Sequence, residues 1–197
     1  MPIDDMRNLL FVHVPKNAGT SIEKHCNMRY SGHHSWNIYK ENFPYEWSNY
    51  SSFAIIRDPI DRFISCYRYA KMEKSYWHSS IKNDSSIHGK HPDYLITKLL
   101  DINSFIEIIY LYRINLMHPG WFPQYRWISD GKSIMVDKII QYENLNSELK
   151  MIGISNLPNL NITRGSDDIY ISEDNIKIIK ELYIKDYEII DKLKLTV

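Results

Sequence analysis

The chain is 197 residues long, 44% hydrophobic and 24% charged, which suits one globular domain with a sizeable core and argues against a disordered, collagen-like or disulfide-stapled chain. Lys+Arg and Asp+Glu number 24 each, so the formal net charge is zero. That balance speaks against a surface that coats nucleic acid or anionic lipid, and any anion site must be a local device.

In chain order, Leu9–Val14 reads as a short buried strand. Pro15–Ser21 punctuates it, and Ile22–Met28 continues as a helix. Ser52–Ile56 is a second buried strand. Asp58-Pro59 then offers an N-cap with proline at the first helical position, and Ile60, Phe63, Ile64 and Tyr67 keep helical spacing. Residues 75–93 are rich in Ser, Asn and His and lack periodicity, which marks a functional lid or a loosely ordered segment. Asn103/Ser104 cap a helix carrying Phe105, Ile108, Ile109, Tyr112 and Leu116. Met135–Ile140 is a third strand, and a short helix over Asn146–Ile152 stops at Gly153. Ser172 opens a last amphipathic helical region with Ile176, Ile179, Leu182 and Tyr183 on one side. Strands alternating with helices predict a single α/β domain with a central, mostly parallel sheet.

Cys26 and Cys66 match no metal-ligand spacing and carry no catalytic motif, which fits a reduced, cytoplasmic chain. The N-terminus Met1-Pro2-Ile3-Asp4-Asp5 is acidic where a signal peptide is basic. The first apolar run is interrupted by His13 and too short for a membrane span. No export signal, anchor or integral membrane segment is expected.

Pro15-Lys16-Asn17-Ala18-Gly19-Thr20-Ser21 follows a strand and opens a helix, where free backbone N–H groups favour an anion. Gly19 allows close backbone approach, Lys16 adds a point charge, Thr20 and Ser21 add hydroxyls, and Pro15 stiffens the turn. The loop has no first glycine, and its lysine precedes Gly19, so it departs from the Walker A pattern of ordinary Mg-ATP sites. A capped helix start with a solvated lysine is the competing reading. Further on, Arg57 ends the second strand and Ser65 lies about two helical turns later, which can bring a planar phosphate fork and a hydroxyl to one pocket. The alternative there is a surface cluster of Asp58, Asp61 and Arg62 with a packing serine.

Together the two units are more specific. Val14–Ser21 resembles the 5′-phosphosulfate loop of sulfotransferases that use 3′-phosphoadenosine 5′-phosphosulfate (PAPS), and Phe53–Tyr67 is similar to their 3′-phosphate motif. The resemblance is closest to the carbohydrate sulfotransferase branch. His118-Pro119-Gly120-Trp121-Phe122-Pro123-Gln124 and Ile139–Leu145 fit that branch, as do Leu157–Asn161 and the Tyr183–Leu193 tail. The resemblance implies a P-loop-like sulfotransferase fold and sulfuryl transfer from PAPS, with adenosine 3′,5′-bisphosphate as product and no metal. It puts Lys16 near the departing phosphate, residues Pro15–Ser21 (Ala18 among them) around the 5′-phosphate, and Arg57 with Ser65 on the 3′-phosphate. Arg164-Gly165 resembles a basic–glycine element on the same phosphate, with a solvated turn as the competing reading.

The branch often carries a histidine followed two residues later by Ser or Thr between the two motifs. His33 with Ser35 matches that pattern, and His34 is the alternative general base. His118 is a third candidate, as an acceptor-site or structural residue. Tyr30, Trp36, Tyr39, Tyr45, Trp47 and Tyr50 crowd the same stretch, and most are expected to pack rather than touch ligand. His78, His88 and His91 lack the partners of a tetrahedral metal set. The sequence shows no N-terminal anchor like that of the Golgi members, which fits either a cytoplasmic enzyme of bacterial or viral type or one whose anchor has been removed. The implied acceptor is a saccharide, glycolipid or other hydroxyl-bearing molecule, and nucleic acid is not expected. A P-loop-type phosphotransferase and a non-catalytic anion-binding module are the rival functions.

Overall fold

Two apolar runs set the sheet. Leu9–Val12 (β2) is buried throughout and Ser51–Ile56 (β3) from its second residue on, as strands covered on both faces must be. β3 lies parallel to β2, with Phe11 opposite Phe53, and parallel to Lys138–Gln141 (β4), with Ile55 opposite Ile140. Ile3–Asp4 (β1) runs antiparallel on the other side of β2, so the order is β1-β2-β3-β4 and the sheet is mostly parallel. The computed structural model of the protein describes residues 2–30, 32–73, 90–157 and 169–195.

The chain divides into two compact units. The first, Met1–Asp58, Pro123–Ile162 and Lys185–Val197, holds the whole sheet. Period-two alternation splits its core into two layers. Leu10, Val12, Ala54 and Ile56 join Tyr39 of α2 (Trp36–Asn42), Trp127 and Ile128 of α7 (Tyr125–Ile128) and Ile190 of α10 (Ile184–Lys194). Leu9, Phe11, Phe53, Ile55 and Ile140 join Ile22 of α1 (Gly19–His25) and Leu149 of α8 (Leu145–Met151). This is the mixed α/β arrangement expected from the alternation of strands and helices.

The second unit, Pro59–Phe122 and Thr163–Ile184, is helical among its described residues: α4 (Pro59–Ala70), α5 (Tyr94–Leu99), α6 (Ile102–Leu111) and α9 (Glu173–Leu182). Phe63, Phe105 and Trp121 form its aromatic centre, with Trp121 5.3 Å from each of the other two rings. The Arg62 guanidinium is 1% exposed and donates to the Gly120 carbonyl at 2.7 Å. Buried Asp93 accepts from the N–H groups of Met117 (3.1 Å) and His118 (3.2 Å) and from Trp121 Nε1 (3.0 Å). Asp93→Ala strands three donors, so a loss of about 3 kcal/mol and a fall in melting temperature of about 6–12 °C are expected by calorimetry.

Helix limits differ from the sequence expectation where capping decides them. The cap of α6 is Asp101, whose carboxylate accepts from the N–H of Asn103 (2.9 Å) and Ser104 (3.1 Å); those two residues lie inside the helix. α6 ends at Leu111 because Arg113 takes a φ of 50°, and Ile114 N–H bonds back to Ile109 at 3.1 Å. Asn27 at φ 49° closes α1 in the same way, ahead of the expected Met28. Gly153 at φ 81° closes α8 as its glycine predicted. The last helical region is two helices, because Tyr183 leaves helical dihedrals and anchors its hydroxyl on the Trp121 carbonyl at 2.7 Å. The helices α2 and α3 (Pro44–Asn49), between the two motifs, were not signalled by periodicity.

Candidate functional site

After β2 the chain turns through residues 13–18 and enters α1 at Gly19. Lys16 and Ala18 stand at φ 70° and 61°, while Asn17 between them does not. Each left-handed non-glycine residue costs about 1–2 kcal/mol, and the alternation turns backbone N–H groups into a concavity suited to an anion. Side-chain bonds hold the strained turn. Asn17 is fully buried, and its Nδ2 donates to the Ile55 carbonyl and to Gln124 Oε1, each at 2.7 Å. Asn17 therefore has its backbone to offer a ligand, with its Nδ2 committed to β3 and Gln124. Pro15 is buried, Lys16 and Thr20 are half-buried, and Ser21 is buried with its N–H on the Ala18 carbonyl at 3.0 Å.

Gly19 has a second reason beyond ligand approach. A Cβ there would lie 2.0 Å from Cδ2 and Nε2 of His13. His13 is 4% exposed, stacked on Phe11, and bonded through Nδ1 to Glu23 Oε1 at 2.5 Å. Its carbonyl accepts from His33 Nδ1 at 3.1 Å, and the two imidazole centroids are 4.1 Å apart. A carbonyl only accepts, so Nδ1 of His33 carries a hydrogen. His34 is half-buried, and burial lowers its pKa below the ordinary histidine value.

Arg57 leaves the end of β3, beside the carboxyl end of its parallel neighbour β2. Its guanidinium carbon is 4.5 Å from the Tyr142 ring centroid. Arg57 Nε is buried without a hydrogen-bond partner, and among the described residues the side chain makes no ion pair. A buried N–H on a cation with no partner is available to an anion. Its main chain is held at both ends by Gln124: Oε1 accepts from Arg57 N–H at 3.0 Å, and Nε2 donates to Arg57 C=O at 2.8 Å.

The first unit thus brings together the Lys16 loop, His33 and Arg57. Ser65 lies on α4 in the second unit. Arg164, His78, His88 and residues 158–161 fall outside the described residues. His118 Nδ1 accepts from Gly120 N–H at 2.9 Å, which makes it a cap on its own turn. Tyr39 is buried with its hydroxyl on the Phe11 carbonyl at 2.6 Å, and Trp36 Nε1 donates to Ser129 O at 3.1 Å, so both are structural. Sequence reasoning passed over Gln124, Tyr142, Glu23 and Asp186 as site residues. Gln124 and Tyr142 lie in strings that carry the family resemblance, and His13 interrupts the expected Leu9–Val14 strand, whereas Glu23 and Asp186 carried no readable signal. Among the described residues no helix is long and apolar enough to cross a membrane. A family model described as "Sulfotransferase family" matches residues 1–191. Neither a curated protein nor a solved structure matches the chain.

Proposed function

The chain belongs to the sulfotransferase family, and from that premise we propose that it is a single P-loop-like sulfotransferase domain moving a sulfuryl group from PAPS to an acceptor hydroxyl. The observation that carries the reading is Arg57, a stacked cation with a buried, unpartnered Nε–H beside the strained Lys16 loop. In this reading the backbone of Asn17–Thr20 with the Thr20 and Ser21 hydroxyls holds the 5′-phosphate, and Arg57 holds the 3′-phosphate. Ser65 joins Arg57 by the motif spacing.

The reaction is an in-line displacement. The acceptor oxygen bonds to sulfur as the sulfur–oxygen bond to the 5′-phosphate breaks, and the electron pair leaves with the phosphate, where Lys16 offsets the charge. The acceptor proton goes to Nε2 of His33. The hydrogen bond of His33 Nδ1 to the His13 carbonyl supports that role, since it fixes the ring beside the loop. Catalysis is positioning plus electrostatic stabilisation, with no step that requires a metal.

His33→Ala is expected to cut turnover by about 10²–10⁴ at unchanged donor affinity, while His34→Ala stays within a few-fold. Transfer from radiolabelled PAPS measures both. The acceptor class proposed is a saccharide or glycolipid, carried over from the branch that the motifs resemble. A screen of sugars, glycolipids, phenols and peptides with the same label tests it, and label on tyrosyl peptides alone overturns the saccharide reading. The proposed cytoplasmic setting is supported by Cys26 and Cys66, both buried as thiols.

A further inference from the structure

We infer that Gln124 is a positioning residue that sets the Arg57 corner relative to the Lys16 loop; this rests on the reading of Arg57 as the 3′-phosphate cation. Gln124 is 1% exposed and lies 67 residues from Arg57 and 107 from Asn17 in sequence. Its amide makes three bonds. Oε1 accepts from Asn17 Nδ2 (2.7 Å) and from Arg57 N–H (3.0 Å), and Nε2 donates to Arg57 C=O (2.8 Å). The orientation is forced: Arg57 N–H needs an acceptor and its carbonyl needs a donor, so a flipped amide loses both.

Gln124 is itself fixed from behind. The Asp186 carboxylate, 2% exposed, accepts from the N–H of Gln124 (2.8 Å) and of Tyr125 (2.9 Å). Asn17 stays in the arrangement although its Oδ1 is buried with no partner. An unspent buried acceptor is costly, so a fold that retains one is holding the amide for its other end. Asn17 Nδ2 also grips the Ile55 carbonyl, two residues before Arg57. The loop, the end of β3 and Gln124 therefore form one rigid corner. The Arg57 side chain leaves from a main chain pinned at N–H and C=O, which keeps the fork at a set distance from the loop.

The test is calorimetric binding of adenosine 3′,5′-bisphosphate and of adenosine 5′-phosphate, read as the ratio of the two affinities. That ratio isolates the 3′-phosphate contact. In Gln124→Met, similar in length but without the amide, the ratio is expected to fall about tenfold or more, the order of one charge-assisted hydrogen bond. In an Arg57→Ala background the same change should leave the ratio where Arg57→Ala alone puts it. Gln124→Glu supplies an independent arm if the methionine variant fails to fold. Ionised, it repels the Arg57 carbonyl; protonated, it donates to it, so its ratio should recover as pH falls relative to the wild type run in parallel. A lower melting temperature with an unchanged ratio in Gln124→Met, or no recovery with acid in Gln124→Glu, overturns the inference and leaves the sulfotransferase reading standing. A wild type that does not discriminate between the two nucleotides overturns the Arg57 assignment and the clamp with it.

Discussion

Lys16→Ala is expected to lower turnover by about 10²–10³ or more while the protein keeps its melting temperature. The lysine sits half-buried in the strained turn, at φ 70°. Alanine keeps a Cβ, so the left-handed backbone is neither relieved nor worsened, and the change removes only the side chain beyond it. If the ammonium offsets charge that builds on the departing phosphate, its loss falls on the transition state more than on the bound nucleotide. Affinity for adenosine 3′,5′-bisphosphate should then drop far less than turnover. Lys16→Arg keeps a charge but changes its shape and reach, and should recover part of the rate. Near-normal turnover in Lys16→Ala refutes the role.

Gly19→Ala should be the most damaging single methyl in the first unit. The added Cβ would stand 2.0 Å from the His13 ring, and His13 cannot yield cheaply: it is buried, stacked on Phe11 and bonded to Glu23. Either the ring is expelled, which frees Glu23 and the main chain that holds His33, or α1 shifts and carries the phosphate loop with it. The expected cost is about 3 kcal/mol or more, with a fall in melting temperature of about 6–12 °C and loss of turnover. The double variant Gly19→Ala with His13→Ala removes the obstacle. It should regain most of the stability, and a cycle showing no coupling would contradict the proposed clash.

The parts of this fold legible in the sequence are those governed by local pattern. Leu9–Val12 and Ser51–Ile56 are apolar runs buried on both faces, and the loop after the first is a short chemical string. Gly153 closes α8 because glycine takes a left-handed φ freely; Arg113 and Asn27 do the same work without the residue that advertises it. Helices α2 and α3 were missed because they pack an aromatic-rich, weakly periodic stretch through a few anchors such as Tyr39 and Trp47. At the candidate site, Lys16 and Arg57 were readable because each follows a strand in a recognisable string. Gln124 and Asp186 were not, because their roles exist only through pairing across 107 and 62 residues. Spacing to Ser35 favoured His33 over His34; the bond from His33 Nδ1 to the His13 carbonyl is a tertiary fact that no spacing reveals.

The most direct measurement is a crystal structure of the protein with adenosine 3′,5′-bisphosphate. The account predicts the 5′-phosphate in the turn from Lys16 to Ser21 and the 3′-phosphate on the Arg57 guanidinium, with the Arg57 Nε–H or its neighbouring nitrogens donating to it. A nucleotide seated away from that turn, or bound there with Arg57 left on Tyr142 and touching no phosphate, contradicts it.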